Sequence, residues 1–258
     1  MGPYETIQCV RTAGLGWIYL NRPDKYNAFD ETIMAEIADA LEVYRTDAET
    51  RVVIFKGNGK NFASGADIAE LRRMTPADAL FPSMQSLYDK IYHYPKPTIA
   101  AIHGYTLGGG MELATACDIR IAAENARFGL PECKLGVMPG AGGTHRLVRL
   151  LGEAKVKELV LLGDFMNAQE ALASGFVTSV VPPDELEHAA AEAGRKIIEK
   201  APLALRLAKM AIQRSQEAPL EVGQLMENAM QAFLFSSADK NEGVAAFLEK
   251  RKPNFQGK

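Results

Sequence analysis

The sequence predicts an α/β fold, with a core of alternating strands and helices over residues 1–195 and a helical region over 196–258. Three observations predict it. Short β-branched runs recur through the first half, separated by segments of helical periodicity. Glycine-rich breaks follow several of these runs. From residue 184 onward, helical segments succeed one another across short gaps.

Residues 7–10 and 17–20 read as strands joined through Ala13-Gly14, a hairpin-like pair. Asn21-Arg22-Pro23-Asp24 is a turn cluster. Asp30 caps a helix with the apolar stripe Ile33, Ile37, Ala40, Leu41 and Tyr44. Residues 52–55 form a β-branched strand ending at Gly57-Asn58-Gly59. Residues 71–94 are less regular, punctuated by Pro76 and Pro82 and followed by Pro95. That segment carries Met74, Phe81, Met84, Leu87 and Tyr88, a set that suits both core packing and a lid over an apolar ligand. We expect a mixture of the two. Residues 98–102 and 119–122 are further buried strands, and 111–117 is helical. After Gly143 the pattern is mainly helical, interrupted by a strand at 177–181. Helices are expected at 184–201, 202–216, 219–237 and 239–251, with Pro202 and Pro219 in first turns. There is no internal repeat and no low-complexity tract.

The chain has 258 residues and a net charge of −3. That length buries a sizeable core without staples. The slight acidity offers nothing to phosphate backbones or anionic membranes, so neither nucleic acid nor membrane is an expected partner. Three cysteines, without a C-x-x-C, argue against a disulfide framework and for a reducing compartment, read as cytoplasmic. The four histidines make no zinc-type spacing, so no metal is expected. No apolar run reaches membrane-spanning length, and the N-terminus lacks secretory-signal character. Met1-Gly2-Pro3-Tyr4-Glu5-Thr6 fits a loose myristoylation pattern, but so short a pattern matches often by chance.

Chemistry concentrates at two glycine-rich loops and two glutamates. Gly108-Gly109-Gly110 follows a strand and opens a helix, where free N–H groups and the helix dipole favour an oxyanion. Alone it also reads as a tight turn. Ala63-Ser64-Gly65-Ala66-Asp67 is a second such loop, with Asp67 as a cap and the Ala66 N–H as a second donor. One donor from each loop makes a two-pronged oxyanion hole. Glu112 lies in the first turn after Gly108. Glu132 follows Pro131, ahead of Pro139-Gly140-Ala141-Gly142-Gly143. Taken singly, one is a helix N-terminal acid and the other a surface carboxylate. Beside two donor loops, the pair reads as catalytic. Dinucleotide, P-loop and nucleophile-elbow motifs are absent.

These segments, in this order, resemble the crotonase (enoyl-CoA hydratase/isomerase) superfamily. The matching text is Ala63-Ser64-Gly65-Ala66-Asp67-Ile68, then His103 to Glu112, then Pro131-Glu132, then Pro139 to Thr144. Leu20-Asn21-Arg22-Pro23 and Ala246-Phe247-Leu248-Glu249-Lys250-Arg251 match as well, so the resemblance spans nearly the whole chain. It implies a spiral of β-β-α turns, with the C-terminal helices building homotrimers or homohexamers. It implies an acyl-CoA substrate whose thioester oxygen is held by the N–H groups of Ala66 and Gly109. Glu112 and Glu132 take the positions of the hydratase acids, and the Gly140 N–H supports the water or an acid. Lys25, Ala28, Ser64, Asp67 and Ile68 are positioned to bind CoA. Ser64 stands where alanine is common, His103 where asparagine is common, and Ala69 where some hydratases have a lysine near CoA.

Retention of both glutamates points to hydration of a trans-2-enoyl-CoA, as in fatty-acid β-oxidation or a related acyl-CoA degradation. No cofactor is implied beyond the coenzyme A of the substrate. A double-bond isomerase or other acyl-CoA lyase of the superfamily is the enzyme alternative. An RNA-binding member is the non-enzyme alternative. It would need a basic helix, whereas residues 30–50 hold seven acids and one base.

Overall fold

The computed structural model describes residues 4–80, 82–215 and 217–258. The myristoylation-like residues Met1, Gly2 and Pro3, together with Phe81 of the irregular segment and Gln216 at a helix end, lie outside the described residues. β1 (Ile7–Thr12) and β2 (Leu15–Leu20) pair antiparallel. Ala13 and Gly14 both take positive φ, which matches the twist of a tight hairpin. α1 (Glu31–Thr46) begins at Asp30, whose side chain accepts the Ile33 N–H. β3 (Val52–Gly57) follows it. The expected stripe Ile33, Ile37, Ala40, Leu41 and Tyr44 is buried throughout.

After α2 (Ile68–Leu71), the irregular segment resolves into two short helices, α3 (Pro76–Leu80) and α4 (Ser83–Tyr92). Leu87, Tyr88 and Ile91 of α4 are buried, while Met74 and Leu80 are exposed. The segment is therefore part core and part exposed apolar surface. β4 (Thr98–Ile102), β5 (Tyr105–Leu107), α5 (Gly109–Ala116), β6 (Ile119–Ala123) and β7 (Arg127–Gly129) follow.

Next come α6 (Arg146–Lys157), a π-helical turn at Glu158–Leu162, β8 (Met166–Asn167), α7 (Ala168–Ala173) and β9 (Ser179–Val181). α8 (Leu186–Ile198), α9 (Pro202–Arg214), α10 (Leu220–Phe235) and α11 (Ala238–Leu248) are close to the expected C-terminal helices. Pro202 occupies a first turn, whereas Pro219 is the residue just before α10.

A six-stranded sheet runs β1-β2-β3-β4-β6-β9, parallel except at the first pair. Both faces are covered, so its central strands read as unbroken apolar runs rather than alternating ones. Val53 and Phe55 pack with Ile33, Ile37 and Tyr44 on one side. Val52 and Ile54 pack with Leu186 and Ala190 of α8 on the other. A smaller sheet, β5-β7-β8, carries the chain from the first glycine loop toward Glu132. Its strands of two or three residues are too short for a periodic sequence signal.

Candidate active site

Two loops meet where the small sheet begins. Ala66 forms a parallel bridge to Phe29, and Ala63 another to Thr106. At the first bridge, the Phe29 N–H donates to Gly65 O and the Asp67 N–H to Phe29 O, each at 2.8 Å. A parallel bridge uses the groups flanking the paired residue, which leaves the N–H of Ala66 turned the other way. Gly108, at φ 52° and ψ −125°, adopts backbone that favours glycine. It aims Gly109 into the start of α5, where the N–H has no partner within the helix. Among the described residues, no protein acceptor is found for the N–H of Ala66 or Gly109.

The approach of the loops is close. A Cβ placed on Gly65 would lie 3.0 Å from Gly109 N, and one placed on Gly110 would lie 2.2 Å from Ala63 O. Beneath them, the hydroxyl of fully buried Tyr88 donates to Gly109 O at 2.8 Å. Met84 Sδ lies against the Gly109 Cα. The two peptides of the candidate hole are held through their carbonyls, Gly65 O by the Phe29 N–H and Gly108 O by the Glu112 N–H, while their own N–H groups stay free.

Glu112 sits one turn into α5 and is only 3% exposed. Its Oε1 accepts the N–H groups of Ala141 and Gly143, at 2.7 and 2.8 Å. Burial raises its pKa above the usual carboxyl value, and the two amide donors oppose that rise. Glu132 lies in a short 3-10 turn, Pro131–Leu135. Its carboxyl lies against Gly108, where an added Cβ would be 3.1 Å from Oε1. Its Oε2 is buried without a protein partner among the described residues. Burial pushes Glu132 up to about 7, helped by the nearby charge of Glu112 and opposed only by its own backbone N–H. The two acids share one site but differ in environment, one tied by amides and the other nearly untied.

The glycine-rich stretch 139–143 supplies this difference. The N–H groups that touch an acid are those of Ala141 and Gly143, and the acid is Glu112. Gly140 is exposed, and among the described residues its N–H reaches neither carboxylate. The sequence does not reveal the two donors, because backbone amides carry no side-chain signature.

The CoA candidates gather on and beside the 64–67 loop. Ile68 is 58% exposed, and Lys25 projects into solvent with its Nζ 3.8 Å from Asp67 Oδ2. Asp67 itself caps α2 by accepting the Ala69 N–H and pairs with Arg22; the amide first, and then Arg22, lower its pKa against its partial burial. Ser64 donates its N–H to Tyr26 O, and Ala28 is buried with its carbonyl held by Arg22 Nη1. Arg22, which in the sequence is only part of a turn cluster, is the hub here. It also pairs with Asp30 at 2.6 Å, fixing residues 22–30 beside the 64–67 loop. Among the described residues, no cluster of side chains suited to a metal ion is found, and no helix is long and apolar enough to cross a membrane.

A family model described as enoyl-CoA hydratase/isomerase matches residues 11–258. A probable enoyl-CoA hydratase of Mycobacterium tuberculosis is 44% identical over 252 residues, covering 98% of each chain. A 2,3-dehydroadipyl-CoA hydratase of Escherichia coli is 41% identical, covering 93% of this chain and 94% of its own. Among solved structures, an enoyl-CoA hydratase subunit of Geobacillus kaustophilus superposes with a TM-score of 0.94 at 42% identity, covering 99% of each chain. The mixed α/β core with its C-terminal helices is the fold of these relatives.

Proposed function

The chain belongs to the enoyl-CoA hydratase/isomerase family, and on that premise we propose that it hydrates a trans-2-enoyl-CoA to a 3-hydroxyacyl-CoA. The observation that carries this reading is the pair of glutamates, Glu112 buried and Glu132 half-buried, beside two free amide donors. The N–H groups of Ala66 and Gly109 hold the thioester oxygen and stabilise the enolate-like charge as it develops. Glu112, kept ionisable by its two amides, takes a proton from the water whose oxygen bonds to C3. Glu132, protonated near neutrality, delivers a proton to C2. No cofactor takes part, since coenzyme A arrives with the substrate.

Lys25, Ile68 and the backbone around Ala28 and Ser64 are our candidates for contact with the CoA portion, with Asp67 shaping that edge through Arg22. Gly140 is our candidate for contact with the reacting water. We assign residues 1–195 to the acyl-CoA site and 196–258 to assembly. Exposed apolar side chains on the last two helices, including Leu225, Phe233 and Phe247, support a homotrimer or a hexamer of two trimers. The enzyme is a lyase of acyl-CoA degradation, and we place it in the cytoplasm.

A double-bond isomerase needs a single acid to move its proton, so the second acid favours hydration. The test is product analysis. A trans-2-enoyl-CoA should give a 3-hydroxyacyl-CoA whose new oxygen comes from water. Conversion of a 3-enoyl-CoA to its 2-enoyl isomer, with no hydrated product, would reject the reading.

A further inference from the structure

The amide clamp on Glu112 is itself held by one side chain. Arg146 opens α6 and its side chain is only 7% exposed. Its Nη1 donates to Ala141 O at 3.2 Å, and its main-chain N–H donates to Gly142 O at 2.9 Å. The peptide between Ala141 and Gly142 lies between the two peptides whose N–H groups bind Glu112. Holding its carbonyl, and the next one, fixes the orientation of both donors.

Arg146 is gripped in turn by α4. Its guanidinium pairs with Asp89 and lies over the Tyr92 ring, 5.0 Å from the centroid. The residue before Asp89 is Tyr88, which holds Gly109 O from behind the oxyanion hole. One helix is therefore tied to both halves of the site, Tyr88 to the carbonyl that follows the Gly109 donor and Asp89 to the clamp through Arg146.

We propose that Arg146, anchored by Asp89 and Tyr92, is a positioning residue that sets the ionisation of Glu112 by orienting the amides of Ala141 and Gly143. The proposal rests on the hydratase reading for its kinetic consequence but not for its structural one. If the guanidinium is lost, the loop relaxes and the carboxylate loses donors that favour its charged form. Glu132 of the 3-10 turn and Tyr88 of α4, the titratable groups that face Glu112, stay in place, so the acid ionises at higher pH and less of it is competent as a base.

The experiment compares wild type, Arg146→Met, Arg146→Lys and Asp89→Asn by two readouts. The first is hydration of a short trans-2-enoyl-CoA as a function of pH. Arg146→Met should lower kcat roughly 10- to 100-fold, as expected when a reacting group is misplaced. KM should change less than about threefold, because the substrate contacts are untouched. The acid limb should move to higher pH by roughly half a unit or more, since two donors to the charged form are weakened. Arg146→Lys should recover part of the loss, and Asp89→Asn should move the limb in the same direction by less. The second readout is infrared titration of the Glu112 carboxylate without substrate, with Glu112→Gln as the subtraction reference. Its midpoint should rise in Arg146→Met. A wild type that titrates as described but does not hydrate rejects the hydratase reading and leaves the clamp standing. An active wild type whose variants keep both the limb and the midpoint overturns the proposal. If Arg146→Met does not fold, Asp89→Asn decides by the same two readouts.

Discussion

Gly65 and Gly109 meet so closely that a methyl group added to Gly65 would lie 3.0 Å from the Gly109 nitrogen. That nitrogen is one of the two proposed thioester donors, and Gly65 also sits at φ 93°, where a side chain is strained. Gly65→Ala should therefore damage the oxyanion hole before it damages the fold. Loss of one such donor costs about 100- to 1000-fold in kcat. Steady-state kinetics alongside a thermal melt will check this, and a variant with normal kcat would contradict the placement of the hole. Gly110→Ala is a different case. Its methyl would meet Ala63 O at 2.2 Å, so the melt itself should fall sharply.

The pH profile should have two limbs. Glu112 must be ionised to accept the proton of water, so activity is lost as pH falls through its raised pKa. Glu132 must be protonated to deliver its proton, so activity is lost as pH rises beyond about 7. Because the two charges interact, the midpoints belong to the pair. A profile of kcat/KM between about pH 4.5 and 9.5 will reveal both limbs, and a flat alkaline side would exclude Glu132 as the acid.

Stability should follow the same chemistry. Glu132 is raised from the usual 4.5 to about 7 by burial, so its ionisation destabilises the folded state. The penalty is absent below the unfolded value and complete above the folded one. Glu132→Gln removes the ionisation, so the variant should match wild type at about pH 4 and exceed it at about pH 9. The difference between the folded and unfolded values caps the gain at about 3 kcal/mol. Denaturant titration at the two pH values measures it, and an equal difference at both would refute the buried-acid account.

Lys25 should act on binding alone. Its exposed ammonium stands beside Asp67. Lys25→Ala should raise KM for the CoA thioester a few fold at low salt and leave kcat unchanged, with the effect shrinking as salt is added. An unchanged KM would remove Lys25 from the CoA edge.

The sequence exposes the parts of this fold that carry side-chain pattern. α1 is legible from its cap at Asp30 and its stripe through Tyr44, and β4 from five consecutive buried residues. Glu112, Glu132 and the glycine loops stand out because acids beside glycines are chemically distinctive. The clamp is not legible, since Glu112 reaches amides 29 and 31 residues away that any residue type could supply. The small sheet is equally silent, because strands as short as Met166–Asn167 have no period to read. Arg22 reads as part of a turn because its partners Asp30 and Asp67 are brought to it only by the fold.

Hydration at this site takes two acids. The most direct test mixes the protein with a short trans-2-enoyl-CoA and follows loss of the conjugated thioester absorbance, for wild type, Glu112→Gln and Glu132→Gln. Wild type should lose the absorbance rapidly, and either variant should be slower by roughly 100- to 10,000-fold, the range for removing a general acid or base. Undiminished hydration in either variant would contradict it.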